Sequence, residues 1–304
     1  MNRLEKTLKE LKEIKIQGAS QVAVAFLLLV KKLSFKGERE LMRKISKVRT
    51  AILDLRPTEP QVLNFSRLLI NNLRKRSCLN QQILAEEVIK LEGNYRRIEN
   101  SIVKTGVSLI KSRDNIFTHC HSSAVEKILV EAKHQGKNFH VYNSETRPLF
   151  QGKITSSNLI KKKIQVTQVC DSAAAFLISD HSGDEIKINK LILGADVIGL
   201  NGWAVNKIGS FGLALAAWES GIPVYIAASL LKIDPQSKIK IRIPLEKRDA
   251  AEIWPEAPKG LALENYAFDN IPAKFITYFV TEFGLIKPKN MNQAVKKHYP
   301  ELLK

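Results

Sequence analysis

Residues 190–209, KLILGADVIGLNGWAVNKIG, place an acid at the end of a short apolar run. A glycine-broken loop follows, and an Asn-Lys pair stands just ahead of a new helical pattern. Asp196 can move a proton. Asn206 and Lys207 offer an amide and an ammonium, which suit a phosphate when helix N-terminal amides lie beside them. The chemistry implied is proton transfer on a phosphorylated molecule. Other polar groups also follow short apolar runs: Thr118 to Ser123 around Cys120, then Glu145 and Arg147, then Asp171, and finally Lys232. Taken singly each has a plain structural meaning. A lone cysteine behaves as a small buried apolar residue, Asp171 fits the N-cap of a helix over 172–179, and Arg147 can pair with Glu145. Strand alternation would turn His119 and His121 away from Cys120, and no third ligand is near in sequence, which argues against a metal site. Gly194, Gly199, Gly202 and Gly209 miss the spacing of a dinucleotide fingerprint.

The surrounding pattern determines whether these groups can meet. Up to about residue 111 apolar residues recur three and four apart, in 22–33, 41–53, 62–73 and 83–110, and Arg56-Pro57-Thr58 with Pro60 breaks the run. After Asp114 β-rich runs at 115–119, 139–144, 164–170, 190–194, 223–227 and 239–243 alternate with helical ones at 122–135, 155–162, 172–179 and 210–221. A late helix is predicted over 272–282, and a peripheral helix or tail after Lys287. The expected fold is α/β: a helical N-terminal domain over residues 1–112, then a Rossmann-like, mostly parallel, doubly wound sheet over 113–304. Ligands of such sheets bind beyond the carboxyl ends of the strands, where all the polar groups named above fall.

The totals narrow the partners. The chain has 304 residues and a formal charge of +18. Its lysines are scattered and lack an interleaved aromatic stripe, so the charge reads as solvated faces rather than as a nucleic-acid surface. The apolar stretch 22–30 is too short to cross a bilayer. Three cysteines, Cys78, Cys120 and Cys170, stand far apart and form no redox or metal pair, in keeping with a reduced, cytoplasmic protein.

The motifs LRPT (55–58), THCHSS (118–123), ETRPLFQGKIT (145–155), DSAA (171–174), GAD with NG and NKIG (194–209), EKRDAAEIWPE (246–256) and NYAFD to TEFG (265–284) resemble one superfamily. It holds translation initiation factor 2B regulatory subunits, methylthioribose-1-phosphate isomerases and ribose-1,5-bisphosphate isomerases, and the likeness runs from Ile16 to about Pro288. THCHS, ETRP with QGKIT, and DSAA are most similar to the ribose-1,5-bisphosphate type. The resemblance implies a catalytic pair, Cys120 and Asp196, which regulatory subunits usually lose. It also implies substrate binding by Gln17, Gly18, Ala19, Ser20, Arg56, Ser122, Ser123, Ala124, Asn206, Lys207 and Lys232; Arg147 joins them from its place on the same edge. The implied function is conversion of ribose 1,5-bisphosphate to ribulose 1,5-bisphosphate in AMP degradation, with no metal or organic cofactor, AMP as an activator, and a homo-oligomer as the working form. The alternatives are methylthioribose-1-phosphate isomerisation and a non-catalytic, initiation-factor-like subunit that senses a sugar phosphate or nucleotide. Departures from the pattern are Gln17 in place of arginine, the bulky Trp203, Ser229-Leu230-Leu231 before Lys232, Ser210 in place of threonine, and Asp269-Asn270-Ile271-Pro272. In the expected mechanism Cys120 acts as a thiolate favoured by the helix after Ser122 and by Arg147, while Asp196 is the acid.

Overall fold

The computed structural model describes residues 3–13, 15–16, 18–179, 186–237 and 246–303. Gln17 and the strand expected over 239–243 lie outside the described residues. Five helices come first: α1 (Arg3–Lys12), α2 (Ala19–Val30), α3 (Glu38–Leu55), α4 (Pro60–Leu73) and α5 (Gln81–Val107). Each of α2 to α5 buries apolar residues at helical spacing, such as Leu41, Ile45, Val48 and Ile52 on α3. Pro60 opens α4, where its missing N–H costs nothing.

A seven-stranded sheet then forms in the order β11-β10-β7-β4-β1-β2-β3. Its strands are β1 (Asn115–Thr118), β2 (His140–Ser144), β3 (Gln165–Val169), β4 (Lys190–Leu193), β7 (Val224–Ala227), β10 (Tyr278–Thr281) and β11 (Gly284–Ile286). Six are parallel, and β11 returns antiparallel at the edge. The connecting helices are α6 (Ser123–His134), α7 (Gln151–Lys161), α8 (Asp171–Ile178) and α9 (Ser210–Glu219), and α10 (Met291–His298) follows the sheet. Alternation along the strands splits the core into two faces. Ile116 and Ile192 pack with α6 and α7, whereas Phe117, Leu191 and Leu193 pack with α2 to α5 and α9. Full burial of such a side chain stabilises by ~1.5–3 kcal/mol.

The chain moves from β1 outward to β2 and β3, then returns to β4 on the other side of β1 and continues to β7 and β10. The order therefore reverses between β1 and β4, and a crevice opens there beyond the strand ends. A second sheet, unforeseen from the sequence, covers this edge in the order β8-β5-β6-β9: β5 (Val197–Gly199), β6 (Ala204–Lys207), β8 (Ile233–Asp234) and β9 (Phe268–Ile271). Asn206 and Lys207 are thus at the end of a strand, not in a loop.

The segment expected to be a helix over 272–282 is instead a 3₁₀ turn, Ala273–Phe275, followed by β10. The run Tyr-Phe-Val-Thr suits a half-buried strand, and it pairs with β7, Phe279 opposite Ile226. The end of the chain does carry a helix, α10, as expected.

Candidate active site

Beyond the ends of β1 and β4 lies a cleft of about 1060 Å³, measured out to its open mouth. Its walls bring together Gly18, Ala19, Ser20, Arg56, Cys120, Ser122, Ser123, Ala124, Asp196, Asn206, Lys207 and Lys232. Cys120 and Asp196 thus stand two and three residues past the ends of β1 and β4, the two strands that flank the reversal of strand order. Two helices begin at the same cavity: α2 after Gly18 and α6 after Ser122. First-turn amides of a helix have no intrahelical acceptor and point a partial positive charge outward. The close approach of α6 depends on Gly194, because a Cβ there would stand 2.6 Å from Ser122 Oγ.

Cys120 has a left-handed backbone, φ 66°, which few residues other than glycine adopt. Two threonines hold it. The Cys120 N–H donates to Thr146 Oγ1 at 2.9 Å, and Thr155 Oγ1 donates to the Cys120 carbonyl at 2.9 Å. Thr146 is itself left-handed, φ 64°, and is fixed in turn by Asp171, whose carboxylate accepts the N–H groups of Thr146 (2.8 Å) and Arg147 (2.7 Å). Asp171 is therefore a bridge from the start of α8 to the turn that supports Cys120. The N-cap position of α8 belongs to Cys170.

The unusual φ of Cys120 also breaks strand alternation. His119 is buried, and its Nε2 donates to the Ile208 carbonyl at 2.8 Å, which leaves Nδ1 to accept from Ser144. Burial lowers the His119 pKa and keeps the ring neutral. His121, expected to point away from Cys120, lines the cleft instead.

Burial pushes the Cys120 thiol up to about 11, against the pull of Lys207 and the His121 N–H, and the charges of Asp196 and Asp171 add to the rise. The expected thiolate is thus not the form the unliganded site favours. Arg147, expected to assist it, turns away: its guanidinium donates to the Ile253 carbonyl at 2.8 Å and lies over the Phe150 ring, off the cleft wall. The cation acting on the thiol is Lys207.

The remaining charges form a ring. Lys232 Nζ donates to the Ala195 carbonyl at 2.7 Å, next to Asp196. Lys127 pairs with Glu99 at 3.0 Å at the mouth. Arg248 forks onto Glu252 and stands 3.7 Å from Glu246. Arg56 is only 7% exposed, and its closest carboxylate oxygens are 3.5 Å (Glu59) and 3.9 Å (Glu246) away. Its Nε has no hydrogen-bond partner. Gln151 also faces the cleft with a buried, unpartnered Oε1. Arg248, Lys127 and Glu59 were not singled out from the sequence, and Gln151 was named only as a polar group at the strand edge. Arg248, Gln151 and Glu59 stand in or beside quoted motifs, which was the available signal.

Trp203, the bulky departure, does not enter the cleft. It packs with Val197, Val205, Ala267 and Phe268 in the core of the second sheet. Its ring lies on Gly199, where a Cβ would be 2.2 Å from the indole. Ser229 and the Leu230 N–H, in another departure, both donate to the half-buried Glu282, which also accepts from Tyr299 OH. Among the described residues no cluster of His, Cys, Asp and Glu has the geometry for a metal ion, and no helix is long and apolar enough to cross a membrane.

Comparison with known proteins agrees with this architecture. A family model described as the initiation factor 2 subunit family matches residues 15–288. The ribose 1,5-bisphosphate isomerase of Methanocaldococcus jannaschii is 32% identical, across 98% of this chain and 96% of that protein. The methylthioribose-1-phosphate isomerase of Heliobacterium modesticaldum is also 32% identical, across 91% and 86%. Among solved structures, the translation initiation factor eIF-2B of Pyrococcus horikoshii superposes with a TM-score of 0.80 at 27% identity, covering 95% of this chain and 98% of that one. With a family model that spans nine-tenths of its length and full-length relatives at this identity, the chain belongs to the initiation factor 2 subunit family.

Proposed function

We propose that this protein is a sugar-phosphate aldose–ketose isomerase that converts ribose 1,5-bisphosphate to ribulose 1,5-bisphosphate, with Cys120 and Asp196 moving the protons. The observation that carries the substrate choice is the cation-rich wall on either side of that pair. Two helix N-termini and the cations Arg56, Lys127, Lys207, Lys232 and Arg248 share the wall with Cys120, Asp196 and one further acid, Glu99, which pairs with Lys127. Such a cavity suits two phosphates, and a substrate held at both ends has its reacting carbons fixed between the proton carriers.

The reaction needs Asp196 protonated and Cys120 ionised. In the empty site the thiol keeps its proton. The thiol proton must leave Sγ, and Asp196 must carry a proton, before the ring opens. Asp196 then protonates the ring oxygen as the C1–O4 bond breaks and its electron pair goes to oxygen. The thiolate removes the proton on C2, and the C–H electrons form the C1–C2 double bond of an enol. Cys120 returns the proton to C1, the O2 proton passes to Asp196, and C2 becomes the ketone. Lys207 offsets the negative charge beside the thiolate, and Arg56 and Lys232 hold phosphate.

The test is turnover by the purified protein of ribose 1,5-bisphosphate and, separately, methylthioribose 1-phosphate, with and without AMP. Ribulose 1,5-bisphosphate should form, and Cys120→Ser and Asp196→Asn should each lower kcat by at least about 10²–10⁴-fold, the usual weight of a proton-transfer group. Turnover of only the methylthio sugar moves the substrate assignment to the relatives of that name. No turnover of either sugar, together with ligand binding that survives Cys120→Ser, points to a sensing subunit.

A further inference from the structure

Glu59 is the most deeply buried carboxyl beside the cleft, 1% exposed, and it does not line the cavity. It occupies the N-cap position of α4 without capping it. One carboxyl oxygen, Oε2, has no hydrogen-bond partner, and the other is 3.5 Å from Arg56 Nη2. An ionised carboxylate and a buried guanidinium three residues apart would close to about 2.7–2.9 Å, as a charge-assisted pair does. Here the one hydrogen bond between them is long, at 3.5 Å, and Arg56 Nε has no hydrogen-bond partner, with Glu246 3.9 Å away. Four charged groups face Glu59: Asp196 and Glu246 oppose its ionisation, and Arg56 and Lys232 favour it. Burial is the largest influence, Asp196 comes next, and together they push the carboxyl up to about 8.

We propose that Glu59 is a positioning residue that gates substrate binding by its own protonation: neutral, it holds Arg56 only by a long hydrogen bond and leaves it available to a substrate phosphate, and ionised, it draws Arg56 away and adds a further anion beside Asp196. The inference rests on the assignment of Arg56 to a phosphate. The step is a simple ionisation, with the Glu59 proton lost to solvent and the guanidinium redistributed from phosphate to carboxylate. Glu59 acts through Arg56 and touches no reacting atom. The direction follows from the raised carboxyl: the binding-competent form prevails below about pH 8 and is lost as pH rises through that value. The phosphates of the sugar are already fully ionised near pH 7.5, and the Cys120 thiol, at about 11, lies above the window, so neither masks the effect.

The experiment is calorimetric titration of ribose 1,5-bisphosphate into the wild-type chain and Glu59→Gln between pH 6.5 and 9.5, alongside kcat and KM over the same range. Wild-type affinity should weaken by about tenfold per pH unit above 8, the slope of one required proton. Glu59→Gln, neutral at every pH, should bind as tightly as wild type at pH 7 and stay level to pH 9.5. Its kcat at pH 7 should lie within about threefold of wild type. A variant that keeps the wild-type slope, or that binds tenfold more weakly at pH 7, overturns the proposal. Carbon NMR of the wild-type chain labelled at its glutamate carboxyls guards against a variant that fails to fold: the absence of any carboxyl titrating between pH 7 and 9 overturns it too. Binding with this pH slope but no turnover defeats the isomerase assignment and leaves the Glu59 gate standing. No binding of the bisphosphate at any pH defeats both.

Discussion

Replacing Asp171 by alanine removes the carboxylate that accepts two backbone N–H groups of the turn beneath Cys120. The carboxylate takes N–H bonds from Thr146 at 2.8 Å and Arg147 at 2.7 Å. Hydrogen bonds to a charged group contribute ~1.5–3 kcal/mol each. The Arg147 bond is exposed and sits at or below the bottom of that range, so the pair contributes about 2–4 kcal/mol. Release of Thr146 from its left-handed conformation, φ 64°, returns about 1–2 kcal/mol. The net loss is about 0–3 kcal/mol, a fall in Tm of at most about 5 °C for a chain of this size.

The larger effect should be on catalysis. Once Thr146 relaxes, its Oγ1 leaves the Cys120 N–H, and the left-handed Cys120 loses one of its two anchors. A shift of the thiol by about 1 Å costs on the order of 10²-fold in rate. Asp171→Asn keeps one acceptor oxygen and should fall between wild type and alanine. A helix cap in that position would behave differently: its loss costs ~1 kcal/mol and leaves turnover alone. Melting curves and kcat/KM on the sugar phosphate separate the two roles. Asp171→Ala with kcat/KM within twofold of wild type would refute the chain of support from Asp171 through Thr146 to Cys120.

In the unliganded protein at pH 7, iodoacetamide should modify exposed Cys170 first, because its hydrogen bond from Ser172 favours the thiolate, and Cys120 last. With its thiol near 11, Cys120 is ionised to only about one part in 10⁴ at that pH; peptide mass spectrometry reads the order, and rapid labelling of Cys120 would contradict the burial argument. Trp203→Ala should destabilise by about 3–5 kcal/mol by emptying the core of the second sheet, yet leave KM within about threefold at 25 °C, because the indole lies on Gly199 and not on the cleft wall. A large KM change with an unchanged Tm would place it at the substrate instead. Asp269 takes the N–H groups of Gly209 and Phe211, but burial raises its carboxyl to about 6 from an ordinary 3.8. The folded state therefore binds that proton more tightly than the unfolded one, and this contribution to stability falls as pH rises from about 3.8 to 6. Asp269→Asn should flatten the Tm profile over that interval, and a profile of unchanged slope would count against it.

Residue type and position along the chain were enough to single out Cys120 and Asp196, because each follows a short apolar run that any parallel sheet would end there. That the two runs are neighbours was not legible. Adjacency of β4 to β1, with β2 and β3 on the far side, is fixed by packing among segments tens of residues apart. The second sheet escaped notice for a related reason. Its strands have two to four residues, so they offer no period to read. Residues 272–282 misled in the opposite way, since Phe275, Tyr278, Phe279 and Glu282 repeat at helical spacing while pairing with β7 makes Tyr278–Thr281 a strand.

The same division between local and distant causes governs the protons. Sequence places Cys120 two residues before the expected start of a helix at Ser122, and from that local fact a lowered thiol pKa follows. Burial is the sum of everything packed around the sulfur, and it outweighs Lys207 and the His121 N–H. Glu59 shows the converse. Between a threonine and a proline it reads as a loop-surface residue, yet packing of α4 against the Leu230–Lys232 turn carries it into the interior, where Asp196 and Lys232 act on it. Identity tells which side chains can hold protons. Which of them do so at neutral pH is decided by what the fold brings next to them, and here that puts protons on Cys120 and Glu59 before any substrate arrives.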